Sequence, residues 1–266
     1  MSERRNYFTY SAAGSAIGGL LTSPKPLRVP TQAMASLSPS GGYACSTVEN
    51  FGIDGLLTMR RGTTAVEGDA RQTEVTVTVE DVKIMNLLTV DLIVLRLVSH
   101  SVLGSTEASI TPAGSVIKGL RYKDTEIPVT CSSDVFDRFP TFSALGQTYQ
   151  PYQNYKGRDR DYPLRGLIMD PERPGEPGMA DTLSGLESRI GDVKATLCPL
   201  DDECGGFPVV NGGIRLNNFG TLYLGEYRIS KFARRLTMLR VELGCGTSGS
   251  LSSADGSGNG HWEPPN

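Results

Sequence analysis

From Thr73 to Val79 the chain alternates without interruption, with Val75, Val77 and Val79 on one side of an extended backbone and Thr76 and Thr78 on the other. Successive side chains of a strand point to opposite faces, so a period of two marks a strand with one buried face. A helix would scatter the same valines around its axis. Thr89–Ser99 (TVDLIVLRLVS) is apolar at both phases, the pattern of a central strand. Further strands are expected at Ser11–Leu21 and in two short pieces within Ser115–Val129, around a turn at Lys123 and Asp124. A late hairpin is expected from Leu222–Ile229 and Leu236–Leu243. The 31 glycines suit many short strands, because tight turns need positive φ and helices are weakened by glycine.

An internal echo adds a repeat. Val48–Thr58 reads VENFGIDGLLT and Val79–Thr89 reads VEDVKIMNLLT, with Val, Glu, Ile, Leu, Leu and Thr in register; a fainter copy is Ile17–Thr22, IGGLLT. Such spacing points to supersecondary units that bury their apolar faces against one another. The expected fold class is therefore mainly β, built of repeated short-strand units as a sandwich, a prism-like barrel or an irregular solenoid. One short helical insertion is expected in Ser133–Tyr149, capped by Ser133 or Asp134 and broken at Pro140, which starts a second short helix. We expect one domain over residues 1–243, with this insertion and its long loop at about 132–197. The Gly/Ser-rich stretch 244–266 reads as a flexible tail.

The net charge of −3 argues against a nucleic-acid partner, which calls for a basic excess. The longest apolar run, Leu92–Val98, spans seven residues and contains Arg96, so no transmembrane segment is expected. The small-residue stretch Ser11–Leu21 behind Arg4 and Arg5 is glycine-broken and reads as a first strand, not a signal peptide, which favours the cytoplasm. Five cysteines, an odd and sparse set, suit a reducing compartment. Of these, Cys198 and Cys204 enclose a short loop that a disulfide would close.

No catalytic residue is assigned and no cofactor is expected. Gly244–Gly249 matches G-x-G-x-x-G, but the helix that would hold a pyrophosphate has no room to follow. Asp255, Ser257 and Asn259 imitate the first ligands of a calcium loop and form the candidate metal site, although Asn266 replaces the bidentate Glu. Asp201, Asp202 and Glu203 read as an acidic surface loop. The two histidines, His100 and His261, have no nucleophile elbow to serve. The candidate ligand site is the loop of Tyr149, Tyr152, Tyr155, Arg158 and Tyr162, whose aromatic faces and cations suit stacking on sugars.

Phe219–Gly244 (FGTLYLGEYRISKFARRLTMLRVELG), with LTVDLIVLRLVSHS and VIKGLRY earlier, resembles bacterial proteins of the choice-of-anchor P family over about half the chain. The resemblance implies a β-rich protein displayed at a cell surface by differing anchors. The functional expectation is a non-enzymatic structural or scaffolding protein that self-associates as a homo-oligomer, because strand repeats leave open edges. The alternative is a binding module for a carbohydrate or small apolar ligand.

Overall fold

The fold is described from a computed structural model, for residues 8–103, 105, 107–147, 168–170, 193–230 and 233–262. The chain opens with β1 (Phe8–Ser23), β2 (Leu27–Gln32) and β3 (Ala35–Ser36). A four-stranded meander follows: β4 (Gly42–Ile53), β5 (Leu57–Asp69), β6 (Gln72–Ile84) and β7 (Leu88–His100). The short strands β8 (Ser109–Thr111), β9 (Val116–Lys118), β10 (Arg121–Tyr122) and β11 (Thr125–Glu126) lead to α1 (Ser133–Asp137) and a second helix, α2 (142–147). Then come β12 (Ile168–Asp170), β13 (Val193–Thr196), β14 (Glu203–Cys204), β15 (Phe207–Val210) and β16 (Gly213–Leu216). The long strands β17 (Gly220–Ile229), β18 (Arg234–Cys245) and β19 (Thr247–Trp262) end the chain.

These strands form two antiparallel sheets packed face to face, with no closed barrel. The first runs β14-β15-β16-β17-β18-β19-β1-β2, with β13 beside β17 and β3 beside β1. The second runs β11-β10-β7-β6-β5-β4, with β8 and β9 also on β7. The core between them is led by Val75, Val77 and Val79 of β6 and by Ile93 and Leu95 of β7, all fully buried. Each such side chain contributes roughly 1.5–3 kcal/mol on burial. The alternation in Thr73–Val79 is thus the inward face of a strand packed against β1 and β19.

The echoed segments are two equivalent hairpins. Leu56 donates its N–H to the Ile53 carbonyl and Leu87 to the Ile84 carbonyl, both at 3.0 Å, at matching places in the two copies. The fainter copy, Ile17–Thr22, instead lies inside β1 and forms no such turn.

In each sheet a line of residues inverts the pleat. In the second sheet it crosses Asn50, Arg60, Asp81 and Asp91, each bracketed by regular pairs on its neighbours. In the first it crosses Gly225, Met238, Ala254 and Ala16. Asn50, Asp81 and Ala254 have φ of 51° and Gly225 of 59°, so every second strand carries a left-handed residue on the line. On either side the buried phase changes: Val75, Val77 and Val79 face inward before Asp81, and Val82 and Ile84 after it. Two successive side chains on one face force a strand to bend. The line points outward in the second sheet and inward in the first, so the two bends nest.

The supposed tail is the main correction. Residues 247–262 are β19, paired along its length with β1 on one side and β18 on the other. Composition misleads here because glycine is needed for packing. A Cβ on Gly256 would lie 2.7 Å from Leu95 Cδ2, and one on Gly14 would lie 2.9 Å from Val77 Cγ2. The close approach of the two sheets depends on these missing side chains, as it does at Gly62 of β5, where a Cβ would lie 2.7 Å from Ala16 Cβ on β1.

The helical insertion docks on the first sheet. The N-cap of α1 is Ser132, one residue ahead of the expected Ser133, and it makes no side-chain cap bond. Thr141 caps α2, its Oγ1 accepting the Ala144 N–H at 3.1 Å, while the Pro140 carbonyl accepts from Ile110 N–H and Arg234 Nη2. Phe136 meets Tyr227 edge to face with ring centroids 5.0 Å apart. Arg234 is buried, and its Nη1 and the Tyr227 hydroxyl have no hydrogen-bond partner among the described residues.

Gly256→Val should lower the stability to chemical denaturation by about 1–3 kcal/mol, because the new methyls press into Leu95 and Val75. Ser257→Thr, one residue on and on the outward face, should stay within about 0.5 kcal/mol of the parent.

Candidate functional site

Because the first sheet bends inward, its outer face is concave. The resulting trough has a volume of about 1100 Å³, and its lining includes Gly19, Tyr223, Glu226, Arg235, Arg240 and Ser252. Tyr223 and Glu226 stand on either side of Gly225, and Thr237 and Arg240 on either side of Met238. Residues three apart on one strand thereby face the same hollow.

Arg240 organises this surface. Its guanidinium carbon lies 4.0 Å from the centre of the Tyr223 ring. It donates through Nη2 to Glu226 Oε1 at 2.7 Å, through Nε to Glu226 Oε2, and through Nη1 to Glu242 Oε1. The Tyr223 hydroxyl donates weakly to Glu242 Oε2 at 3.4 Å. Next to this cluster, Asp255 accepts from Arg235 Nε at 3.1 Å and from Thr237 Oγ1 at 2.8 Å. The hydrogen bonds Arg240 donates to Glu226, chiefly, and then the carboxylate charges hold its guanidinium above its ordinary value, against the opposing effect of partial burial. Partial burial and then the Glu242 charge raise the Tyr223 phenol above its ordinary value, while the Arg240 charge pulls the other way. The phenol therefore stays a neutral donor at physiological pH.

A second feature is an edge. β4 pairs with β5 along one side and, among the described residues, with nothing along the other. Its twelve residues carry one charge, Glu49, and no Lys, Arg or Pro. Ala44, Val48, Phe51 and Ile53 are half-buried against the core, and Tyr43 is 67% exposed. The other rims differ: β2 carries Pro30 and Arg28, and β7 is covered in turn by β8, β9 and β10.

The residues singled out from sequence fare differently. Tyr149, Tyr152, Tyr155, Arg158 and Tyr162 lie outside the described residues. Asp255, Ser257 and Asn259 alternate along β19, and Asp255 is already held by Arg235 and Thr237. Alternate residues of a strand stand nearly 7 Å apart and parallel, so they do not close around one ion as a loop does. No cluster fit for a metal occurs among the described residues. Cys198 lies beside Cys131 at Sγ–Sγ 3.2 Å, and Cys204 Sγ lies on the Pro128 carbonyl instead. Among the described residues no helix is long and apolar enough to cross a membrane.

Sequence reading missed the trough. Tyr223, Glu226 and Arg240 are ordinary strand residues, and only the glycine at 225 hinted at a local break in the strand. No curated protein and no solved structure matches the chain. A family model described as a domain of unknown function, DUF8256, matches residues 8–230. The match stops before β18 and β19, so the strands that complete the first sheet lie beyond it.

Arg240→Met should raise the Tyr223 phenol further, since it removes the neighbouring positive charge. A tyrosinate absorbance titration compared with Tyr223→Phe reads this directly. The loss of stability should be small, roughly 1 kcal/mol, because the ion pairs are part-exposed.

Proposed function

The chain belongs to the DUF8256 family, a domain of unknown function, and from that premise we propose a non-enzymatic structural protein that self-associates through β4. The open edge carries this reading. Unpaired N–H and C=O groups along a strand are a template for another strand, and proteins that stay monomeric usually guard such edges with Lys, Pro or a covering segment. Among the described residues β4 has none of these guards; the device it does show is the bend at Asn50.

A second copy is the partner that suits the edge. Antiparallel partners meet on the same face, so a twofold axis must pass at a residue. Before the bend, residues 42–49 centre such an axis at Cys45 or Ser46. Either choice sets Glu49 away from its own copy and brings Ala44 opposite Ser46 or Val48. Like charges do not face each other, and half-buried apolar residues gain cover. Display at a cell surface, implied by the resemblance to the choice-of-anchor P family, belongs to the same proposal.

A second reading, a binding module for a carbohydrate, draws on the trough. A tyrosine ring flanked by paired acids, arginines and the serines Ser250 and Ser252 offers one stacking face and many hydrogen-bond groups to a hydroxyl-rich ligand.

Sedimentation of the purified chain should show a dimer or larger species. Thr47→Lys, which sets a charge on the edge, should yield a folded monomer of nearly unchanged melting temperature. A parent protein that remains monomeric at high concentration would defeat the structural reading. For the second reading, glycan-array binding should vanish in Tyr223→Ala while its thermal unfolding shifts little; an array with no parent signal counts against it.

A further inference from the structure

We propose that Cys131 and Cys198 are a disulfide-forming pair that staples the base of the helical insertion. The two sulfurs stand 3.2 Å apart, and both are free thiols. The adjoining backbone already brings the two segments together, since the Ser132 N–H donates to the Leu197 carbonyl at 2.8 Å. These two cysteines bracket the insertion: Cys131 immediately precedes the residues leading into α1, and Cys198 follows β13. A bond between them closes the whole of 132–197 into a loop, where the pair suggested by spacing alone, Cys198 with Cys204, would close only a turn.

The surroundings suit a reversible bond. Cys131 is half-buried and reachable, whereas Cys198 is 1% exposed. The contact with Cys198 lowers the Cys131 thiol despite its burial, and the same contact, then burial, pushes Cys198 well above the ordinary thiol value. Cys131 is thus the thiol that ionises first, and the thiolate is the nucleophile. Its sulfur attacks one sulfur of a small-molecule disulfide such as oxidised glutathione. That S–S bond breaks, one glutathione thiolate leaves, and a mixed disulfide forms on Cys131. Cys198 then loses its proton and attacks the Cys131 sulfur, expelling the second glutathione. Two protein thiols give up two electrons and two protons in total, and the oxidant becomes two thiols. Neither Cys45, which lies on β4, nor Cys204, whose Sγ meets the Pro128 carbonyl, takes part.

The consequence is mechanical. Once closed, the bond ties the segment entering α1 to the strand β13 that pairs with β17 of the first sheet. Closing so long a loop restricts the unfolded chain more than a short one would.

The test uses the full chain. Native protein is incubated with oxidised glutathione, remaining thiols are alkylated, and the digest is analysed by mass spectrometry without reduction. A linked peptide joining Cys131 to Cys198, two hydrogens lighter than the two thiol peptides, is the expected result. It should be lost in Cys131→Ser and retained in Cys204→Ser. Thermal unfolding should rise by several degrees on oxidation, and reductant should reverse it. The parent protein alone decides the matter if a variant fails to fold. A Cys198–Cys204 link, or full alkylation of both Cys131 and Cys198 after oxidation, would overturn the assignment.

Discussion

A pleated strand keeps its faces only while the alternation holds, and here every long strand breaks it where its neighbours do. Asn50, Arg60, Asp81 and Asp91 form one such line, and Gly225, Met238, Ala254 and Ala16 the other. A single bulge would twist one strand away from its partner. Inversions aligned across four strands let the ladders continue on both sides, so each sheet folds as one surface. The rest of the structure depends on that shared bend. The convex inner side of the first sheet fits the concave inner side of the second, and the outer side of the first becomes the trough. Left-handed backbone is needed at alternate strands on the line, and Asn, Asp and Gly fill three of those places. Ala254 is the fourth, a residue for which that conformation is strained, held between β1 and β18.

Contact between the sheets is set by small residues. β1 and β19 bring Gly14, Ala16, Ala254 and Gly256 to the interface, while β6 and β7 bring Val75, Val77 and Leu95. Small against large is the arrangement by which facing layers reach interior packing density without voids. β1 and β19, nearly the whole chain apart in sequence, are paired from Phe8 with Trp262 to Ser23 with Ser248. The first sheet is incomplete until the last strand has been inserted between β18 and β1.

The trough and the open edge sit on different sheets and have different physical origins. The trough follows from the bend, which gathers Tyr223, Glu226 and Arg240 into one hollow. The edge follows from where the meander begins: β4 enters the second sheet as its first strand and receives no later neighbour among the described residues. Ligand binding and self-association would therefore use separate surfaces, and Tyr43 on the edge is far in sequence and in sheet from Tyr223 in the trough.

Local physics was legible along the chain. The valine alternation of β6, the doubly apolar β7, the turn at Lys123 and the late hairpin all rest on neighbouring residues, and each is found where its pattern stands. The echo between Val48 and Thr89 pointed to repeated units, which the structure shows as two equivalent hairpins, and its Val-Glu-Asn and Val-Glu-Asp openings carry the two left-handed residues of the bend. Tertiary structure alone decided the fate of the glycine-rich end, the partner of Cys198 and the existence of the trough. A glycine-rich stretch has the same composition whether free in solvent or wedged against Leu95, and only the facing sheet makes its lack of side chains a requirement. Likewise Cys131 and Cys198 meet because the insertion returns to the sheet beside the place it left, a closure no local pattern records.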